Sequence, residues 1–492
     1  MRSETRLGAL AAALLPLVGA CRVGPDYTPP ELALPDAWHR ELAGGLSEGP
    51  AELAVWWTTL DDPVLARVIE RVGEGNLDLR ATLARVREAQ ALRGVAASER
   101  KPTVDGVGAA NRSRSSEGVA GFLPPPQERV IDFYSAVFDA FWELDVWGRI
   151  SRQVDAADAS LEASVEAYRD VLVLLQAEAA LSYLDVRTLQ ARLGYARGNV
   201  ELQERTKGLT DNRFNSGLSA ELDVRQAELN LATTESLIPL LESQLVQAMH
   251  RLDVLVGGFP GELREELSAV AAIPSPPDSA AVGLPADLLR RRPDVRQAER
   301  QLAAQTALVG VATASLYPQF TLVGTLGLEA FENGDFFDSR NRAYSFGPSF
   351  RWPIFNAGRV RAQIDAEEAR TEQALAAYEQ TVRLALEEVE NATVAFARER
   401  ERAAALARAV AAAQRSVELV ETQYKTGITN FQNVLDTQRQ LFGRQDELAE
   451  SQGLVVQRLV LLYKALGGGW SAREETEQAD STTSTDGVES TP

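Results

Sequence analysis

The segment FNSGLSAELDVRQ at Phe214–Gln226 has a counterpart, YKTGITNFQNVLD, at Tyr424–Asp436. Each contains one glycine, Gly217 or Gly427, within a long Ala-, Glu- and Arg-rich region that is typical of helix. A glycine in a helix interior costs about 1 kcal/mol relative to alanine. The two glycines are 427 − 217 = 210 positions apart. A break that recurs at a fixed interval predicts a specific turn between helices.

The same interval relates much of the chain to itself. An offset of 210 aligns Trp142 with Trp352 and keeps register to about residue 258. Upstream the offset is 216, which aligns Pro102 with Pro318, so the two registers differ by 216 − 210 = 6 residues. The chain therefore consists of two copies of one unit, joined by a Pro/Gly-rich linker.

The N-terminus predicts an exported protein. Residues 1–20 combine a basic start with a short apolar run, as in a signal peptide, and Cys21 follows the small residues Gly19 and Ala20. This pattern resembles a bacterial lipobox with Cys21 as the lipidated residue, and Arg22 in the next position favours sorting to the outer membrane. A plain signal peptide with an incidental cysteine is the alternative. Cys21 is the only cysteine, so the mature monomer has no disulfide.

Composition limits the possible partners and the mode of membrane passage. The net charge of −20 argues against nucleic acid, because nucleic-acid binding depends on Lys and Arg contacts to phosphate. No mature segment offers about 18 consecutive apolar residues, so any membrane passage must use strands.

Each copy is expected to contain two strands and long helices. The proline-free runs Gly148–Phe214 and Gly358–Tyr424 are each about 100 Å long at 1.5 Å per residue, which predicts coiled-coil-like packing. Apolar and polar residues alternate before each run, as in membrane strands. The predicted strands cover residues 102–112, 131–145, 318–328 and 344–354. Four strands cannot close a barrel alone, so a dimer of eight strands or a trimer of twelve is required.

Three segments resemble the outer membrane factor family of efflux lipoproteins. They are LPADLLRRRPDVRQAERQLAAQTALVGVATASLYPQFTLVGTLG (284–327), FRWPIFNAGRVRAQIDAEEAR (350–370) and QYKTGITNFQNVLDTQRQLF (423–442). The resemblance implies a homotrimer with a twelve-stranded outer-membrane barrel, four strands per chain, that continues into a long periplasmic α-helical coiled-coil barrel. It also implies a periplasmic adaptor, an inner-membrane transporter of the proton-driven RND type, and contact with outer-membrane lipid.

The domain division follows from the repeat and the resemblance. It comprises a signal peptide (1–20), an acylated N-terminus with an equatorial segment (21–75), a first repeat (76–258), an equatorial linker (259–284), a second repeat (285–468) and a disordered acidic tail (469–492). The helix pairs turn near 214–220 and 424–430.

The resemblance also assigns the candidate site residues. Gly217 and Gly427 would turn the chain at the periplasmic tip with positive φ. Asp436 matches an acidic position of the family's channel gate, whereas Asn433 stands where some members have an aspartate. Asp223 is the first-copy counterpart of Asn433. An adaptor would meet the two tip turns, formed by Ser216, Gly217, Leu218 and Ser219 and by Thr426, Gly427, Ile428 and Thr429.

No catalytic constellation, cofactor motif or metal-binding pattern is evident. The two histidines, His39 and His250, are far apart, and no thiol remains after lipidation. We expect a passive, gated efflux duct rather than an enzyme. The alternatives are the outer-membrane component of a type I protein secretion system and a periplasmic coiled-coil scaffold.

Overall fold

The computed structural model describes residues 22–47, 49, 53–114 and 130–471. The predicted signal peptide, Cys21 and the tail from residue 472 lie outside this range. The described chain forms two compact units, one built from residues up to 31, 85–164 and 297–378, the other from 32–84, 165–296 and 379 onward. The main elements are α1 (Pro63–Gly75), α2 (Leu77–Ser98), β1 (Thr103–Arg114), β2 (Val130–Leu144), α3 (Arg149–Asn215), α4 (Glu221–Glu235), α5 (Leu237–Leu255), α6 (Pro293–Ala314), β3 (Gln319–Ala330), β4 (Arg342–Arg351), α7 (Arg359–Lys425) and α8 (Phe431–Ala465).

Shorter elements lie between the main ones. Leu46–Ser47 pairs in parallel with Ala280–Ala281. The remaining short helices and 3-10 turns are Trp56–Leu60, Arg264–Ser268, Pro285–Asp287, Leu288–Arg291, Asn333–Asp335 and Ser339–Asn341.

The first unit contains a four-stranded antiparallel sheet in the order β1-β2-β3-β4. The predicted partners pair within each repeat, as in Thr103 opposite Phe141 and Gln319 opposite Arg351. In addition, β2 pairs with β3, which joins the two repeats in one sheet. Hydrophobic alternation predicts the strands but not this central pairing.

One face of the sheet is apolar across all four strands. Directly opposed residues lie on the same face of a sheet, and the row Gly106, Phe138, Leu326 and Tyr344 belongs to the apolar face. Its large side chains are exposed, among them Phe138 at 63% and Phe346 at 83%. The opposite face carries Asp105, Ser135, Asp139, Thr321, Thr325, Ser345 and Ser349.

Two details of the predicted strands are wrong. On β2 the alternation is incomplete, because Phe133, Val137 and Phe141 lie on the otherwise polar face. The strand expected at 344–354 is β4, Arg342–Arg351. It stops there because Pro353 has no N–H to donate to a ladder, and the chain turns instead, with Ile354 N donating to Trp352 O at 3.0 Å.

Both repeat offsets reappear as equivalent hydrogen bonds. Trp142 Nε1 donates to Arg100 O at 3.0 Å, and Trp352 Nε1 donates to Leu316 O at 3.0 Å. The donors are 352 − 142 = 210 positions apart and the acceptors 316 − 100 = 216. Arg112 opposite Asp132 and Leu328 opposite Arg342 keep the same two offsets, so the six-residue difference lies between Arg112 and Asp132.

The second unit contains a large apolar core. The N-terminal segment, the linker and the final helix all contribute to it, through Trp56, Leu65, Leu267 and Leu459. Trp56 stacks on Tyr463 with ring centroids 5.6 Å apart. These contacts tie together segments that are far apart in sequence.

Two helices have the length that the proline-free runs predict. Both α3 and α7 contain 67 residues. On α7 the side chains of Val382, Val389, Thr393 and Phe396 are buried on one face, as their three-and-four spacing predicts. Within the described residues no helix is both long and apolar enough to cross a membrane.

The returning helices of the two repeats differ. In the second repeat α8 runs unbroken for 35 residues, whereas in the first repeat Ser236 separates α4 from α5. Pro239 explains the break, because it cannot donate to the carbonyl four residues earlier. Its counterpart at 239 + 210 = 449 is the fully buried Ala449.

The predicted disorder of 469–492 is wrong at its start. Gly469 N donates to Leu53 O at 2.8 Å. The Trp470 ring lies 4.8 Å from the guanidinium of Arg169 and 5.1 Å from that of Arg296. Two cation–π contacts fix this aromatic side chain, so order extends to the end of the described range.

Candidate functional site

Both predicted turns at the helix ends have the same backbone geometry. Gly217 has φ of 73° and Gly427 has φ of 77°, which confirms the expected positive φ. Leu218 N donates to Arg213 O at 2.8 Å, and Ile428 N donates to Gln423 O at 2.9 Å. Such bonds satisfy helix C-terminal carbonyls in the Schellman motif. The glycines therefore end α3 and α7 and reverse the chain.

The turn residues present an apolar tip on a polar base. Leu218 is 67% exposed and Ile428 is 76% exposed. Behind them, Ser216 Oγ donates to Asn212 O at 2.8 Å and Thr426 Oγ1 donates to Thr422 O at 3.1 Å. Ser219 and Thr429 are half-buried. Each turn thus offers one large apolar side chain on a hydrogen-bonded backbone.

A small apolar cluster, here called the tip core, supports these turns. Its buried members are Ala227, Val420, Tyr424, Phe431, Val434 and Leu435, with Leu209 packed against them. The rings of Tyr424 and Phe431 lie 5.5 Å apart. Since α3, α4, α7 and α8 all contribute, the two turns are held by one shared core.

Arg213 stabilises the tip and is not among the residues predicted from the sequence. Its Nη1 donates to Tyr424 O at 3.2 Å and lies 3.4 Å from Lys425 O. Its guanidinium lies 4.8 Å from the centroid of the Tyr424 ring. Arg213 therefore caps the C-terminus of α7 from the end of α3. An arginine in the last turn of a helix is the available signal, because such residues bond terminal carbonyls.

The candidate gate residues lie near the N-termini of α4 and α8. Asp436 is exposed and accepts a hydrogen bond from Gln432 Nε2 at 3.0 Å. Asn433 Nδ2 donates to Thr429 Oγ1 at 2.8 Å. Asp223 is half-buried in the first turn of α4. An acidic side chain near a helix N-terminus is also favourable to the helix dipole.

The segment after Cys21 is anchored within the first unit. Arg152 is 5% exposed, and its Nη2 donates to Asp26 Oδ1 at 2.7 Å, while its Nε donates to Val23 O at 3.2 Å. Gly24 has φ of 86°, and a Cβ there would lie 2.4 Å from Gly310 Cα. The buried cation and the close glycine contact hold the chain immediately after the predicted lipidation residue, which itself lies outside the described range.

Arg292 and Asp294 belong to an ionic cluster in the second unit. Arg292 makes a bidentate pair with Asp294 at 3.0 and 2.8 Å and donates to Glu388 Oε2 and Ala465 O, both at 2.7 Å. Burial alone would raise the pKa of the Glu388 carboxyl, but the charges of Arg292 and Lys464 outweigh burial and hold that pKa below its usual value. The cluster therefore joins α6, α7 and the end of α8.

The family comparison covers both repeats. The model of the outer membrane efflux protein family matches residues 68–258 and 284–468. Nodulation protein T of Rhizobium leguminosarum bv. trifolii is 31% identical over 92% of this chain and 96% of its own length. The pyoverdine export outer membrane protein OpmQ of Pseudomonas aeruginosa is 33% identical over 96% and 98%. The toluene efflux pump outer membrane protein TtgI of Pseudomonas putida is 31% identical over 93% and 97%.

Solved structures have the same fold. The outer-membrane channel OprN superposes with a TM-score of 0.85 at 36% identity and covers 92% of this chain and 100% of its own. A crystal structure of CusC superposes with a TM-score of 0.81 at 26% identity and covers 91% and 100%.

Proposed function

The chain belongs to the outer membrane efflux protein family, and from this premise we propose that three copies form the exit duct of a tripartite pump. As an outer-membrane component of efflux, the assembled channel would conduct drugs, toxic compounds or metals passively from the periplasm to the exterior. It would need no cofactor, and energy would come from a partner. The named efflux and export relatives favour this function over type I protein secretion.

The observation that supports this proposal is the sheet. Its apolar face is exposed across four strands, and within the described residues β1 and β4 each pair along one edge only. In lipid an unpaired edge costs several kcal/mol per group, so copies must complete one another. Eight strands leave an interior that side chains fill. Twelve strands, from three copies, leave room for a passage.

The periplasmic partners would meet the tip. Leu218 and Ile428 are the large apolar side chains of the two turns, and the remaining turn residues surround them. An adaptor protein would pack on this surface in three symmetry copies and connect the duct to an inner-membrane transporter of the RND type. The fixed glycine turns present the surface without further ordering.

The gate would be an acidic ring. Three copies of Asp436 near one axis attract cations and repel anions, and Asp223 adds a second carboxylate on the neighbouring helix. Asn433 leaves this ring with less charge than relatives that have an aspartate there. Cys21 would carry the acyl anchor in the outer membrane, beside the segment that Arg152 fixes.

The test is conduction in planar bilayers by the purified protein. We expect single channels with cation preference, and Asp436→Asn should lower both that preference and the block by multivalent cations. The matched control is Glu235→Gln, which removes an exposed carboxylate at the C-terminal end of α4. Absence of conduction refutes the duct. Unchanged selectivity in Asp436→Asn refutes the ring alone.

A further inference from the structure

A band of polar side chains crosses the interior of the helical hairpins. On α3 it consists of Asn199, Gln203, Thr206 and Thr210, which are 4%, 3%, 7% and 0% exposed. Their spacing of four, three and four residues is that of a coiled-coil seam, where apolar residues are normal. The returning helices carry further buried polar residues, Asn230 and Thr234 of α4 and Gln438 of α8, all at most 5% exposed. These seven residues are called the polar band.

Apolar packing borders the polar band on both sides. Toward the second-unit core, Leu193 and Ala196 of α3 pack with Leu241. Toward the turns the band meets the tip core, against which Leu209, between Thr206 and Thr210, packs. The band is therefore a bounded region rather than a gradual loss of hydrophobicity toward the tip.

Helix α7, the second-repeat counterpart of α3, lacks this run of polar residues. An offset of 210 places Ala409, Ala413, Ser416 and Val420 at the positions equivalent to the four α3 members. Three of these four are apolar. The polarity is thus a property of α3 and not a consequence of the duplicated architecture.

Three buried acceptors in the band have no protein partner. They are Asn199 Oδ1, Gln203 Oε1 and Gln438 Oε1. Asn199 Nδ2 donates to Tyr195 O at 2.8 Å and to Gln445 Oε1 at 2.7 Å, and Gln438 Nε2 donates to Thr206 Oγ1 at 2.8 Å. These donated bonds fix the orientation of two amides, so a simple flip does not satisfy their oxygens.

A cavity lies beside the band at Asn199, one of the three residues with an unpartnered oxygen. A cavity of about 330 Å³ is lined by Asn199, Gln445, Glu418 and Glu421, and by Gly198. A Cβ at Gly198 would meet no atom within 4 Å. The cavity meets the requirements of bound water, which needs two to four polar partners and little volume.

The break in the returning helix lies next to the band. Thr234, its last member on α4, is two residues from Ser236, where α4 gives way to α5 ahead of Pro239. Sharp bends in helices occur at proline and where water enters the hydrogen-bond ladder. The backbone discontinuity and the polar interior thus coincide.

We propose that the polar band holds ordered water and is the hinge at which the periplasmic end of the duct opens. This inference rests on the proposed channel function and adds the element that moves. Water-mediated bonds exchange partners at little cost, whereas the dry packing on either side resists displacement. Segments with few apolar contacts open most readily. The tip would therefore move as a unit about the band.

The first test measures hydrogen exchange in the full-length trimer. In the variant Gln203→Leu/Thr206→Val/Gln438→Leu, side-chain volume is kept, the Gln438–Thr206 pair is removed together and two unpartnered oxygens are lost. Replacing both partners of a pair by apolar groups is commonly neutral or stabilising. Exchange in residues 196–215 and 431–445 should slow about tenfold, which corresponds to about 1.4 kcal/mol in the free energy of local opening. Gln247→Leu, at an exposed position of α5, should leave it unchanged. Unchanged or faster exchange in the triple variant overturns the hinge.

The wild-type protein gives a second readout that does not depend on a variant. Peptides from residues 199–210 should exchange faster than those from residues 177–193 of the same helix, and equal protection contradicts the proposal. An experimental structure should show waters bonded to Asn199 Oδ1 and Gln438 Oε1. Donors from a neighbouring copy at those oxygens would overturn the inference.

Planar bilayers separate the hinge from the channel function. The triple variant should open about tenfold less often than wild type, which corresponds to about 1.4 kcal/mol in the free energy of channel opening. The conductance of the open channel should be unchanged. If wild type conducts and the variant opens equally often, the hinge assignment is wrong. If wild type never conducts, the proposed function fails, while the exchange experiment still decides whether the band is a wet, labile region.

Discussion

Gly427→Ala tests whether the tip turn depends on backbone conformation alone. Gly427 has φ of 77°, and a Cβ built on it would meet no atom within 4 Å. An added methyl group at Gly427 therefore clashes with no other atom of the chain. What remains is the left-handed conformation itself, which costs an L-residue about 1–2 kcal/mol. The ends of α7 and α8 should open about 5–30 times more often.

Two matched variants isolate that cause. Gly208 lies within α3 and also has open space where a methyl group would be added, so Gly208→Ala should stabilise its helix by about 0.5–1 kcal/mol. Gly427→Asn should cost less than Gly427→Ala, because asparagine visits the left-handed region more readily. The same added methyl group thus has opposite effects at the two glycines.

Hydrogen exchange of residues 420–436 in the purified protein is the direct measurement. Drug susceptibility of a deletion strain complemented with each variant reports whether the turn also matters for coupling to the pump. The reasoning is refuted if Gly427→Ala protects residues 420–436 as well as wild type does. It is also refuted if Gly427→Asn is the more disruptive of the two.

Three further outcomes follow. Phe346→Lys, on the apolar face of the sheet, should destabilise the membrane-embedded protein by about 2–4 kcal/mol. It should lower the temperature at which the trimer dissociates on gels, whereas Ser345→Lys on the opposite face should have a much smaller effect. The lowered pKa of Glu388 gives a stabilisation that is fully present above the usual glutamate pKa of about 4.3 and is lost as the pH falls through the folded value. Glu388→Gln should therefore flatten the acid limb of a thermal-stability profile, and an unchanged limb contradicts this. Cys21→Ser should abolish incorporation of radioactive palmitate, and persistent labelling would refute Cys21 as the lipidated residue.

The sequence predicts the helices well because their signals are long and periodic. Two proline-free runs define α3 and α7 to within a residue at each end. Strand ends are less predictable, since they depend on single residues such as Pro353. The β2–β3 pairing is not visible in either repeat alone, because it is a tertiary contact between strands with similar alternation.

The tip likewise combines features that the sequence predicts with contacts that it does not. Recurring glycines predict the turns, since their positive φ is a local property that glycine tolerates. Arg213 and Arg152 act through contacts with Tyr424 and Asp26, which are distant in sequence. Periodicity and spacing contain no information about such partners. The polar side chains on α3 are readable as a pattern, but their burial is evident only once the hairpins are packed.

The edge strand β4 has a consequence for the chain before it reaches the membrane. It has ten residues against twelve in β1, and it contains Pro348 opposite Leu322. A short strand with a missing N–H is a poor template for indiscriminate strand addition. While the newly exported polypeptide crosses the periplasm, this strand therefore discourages indiscriminate pairing with other exposed strands.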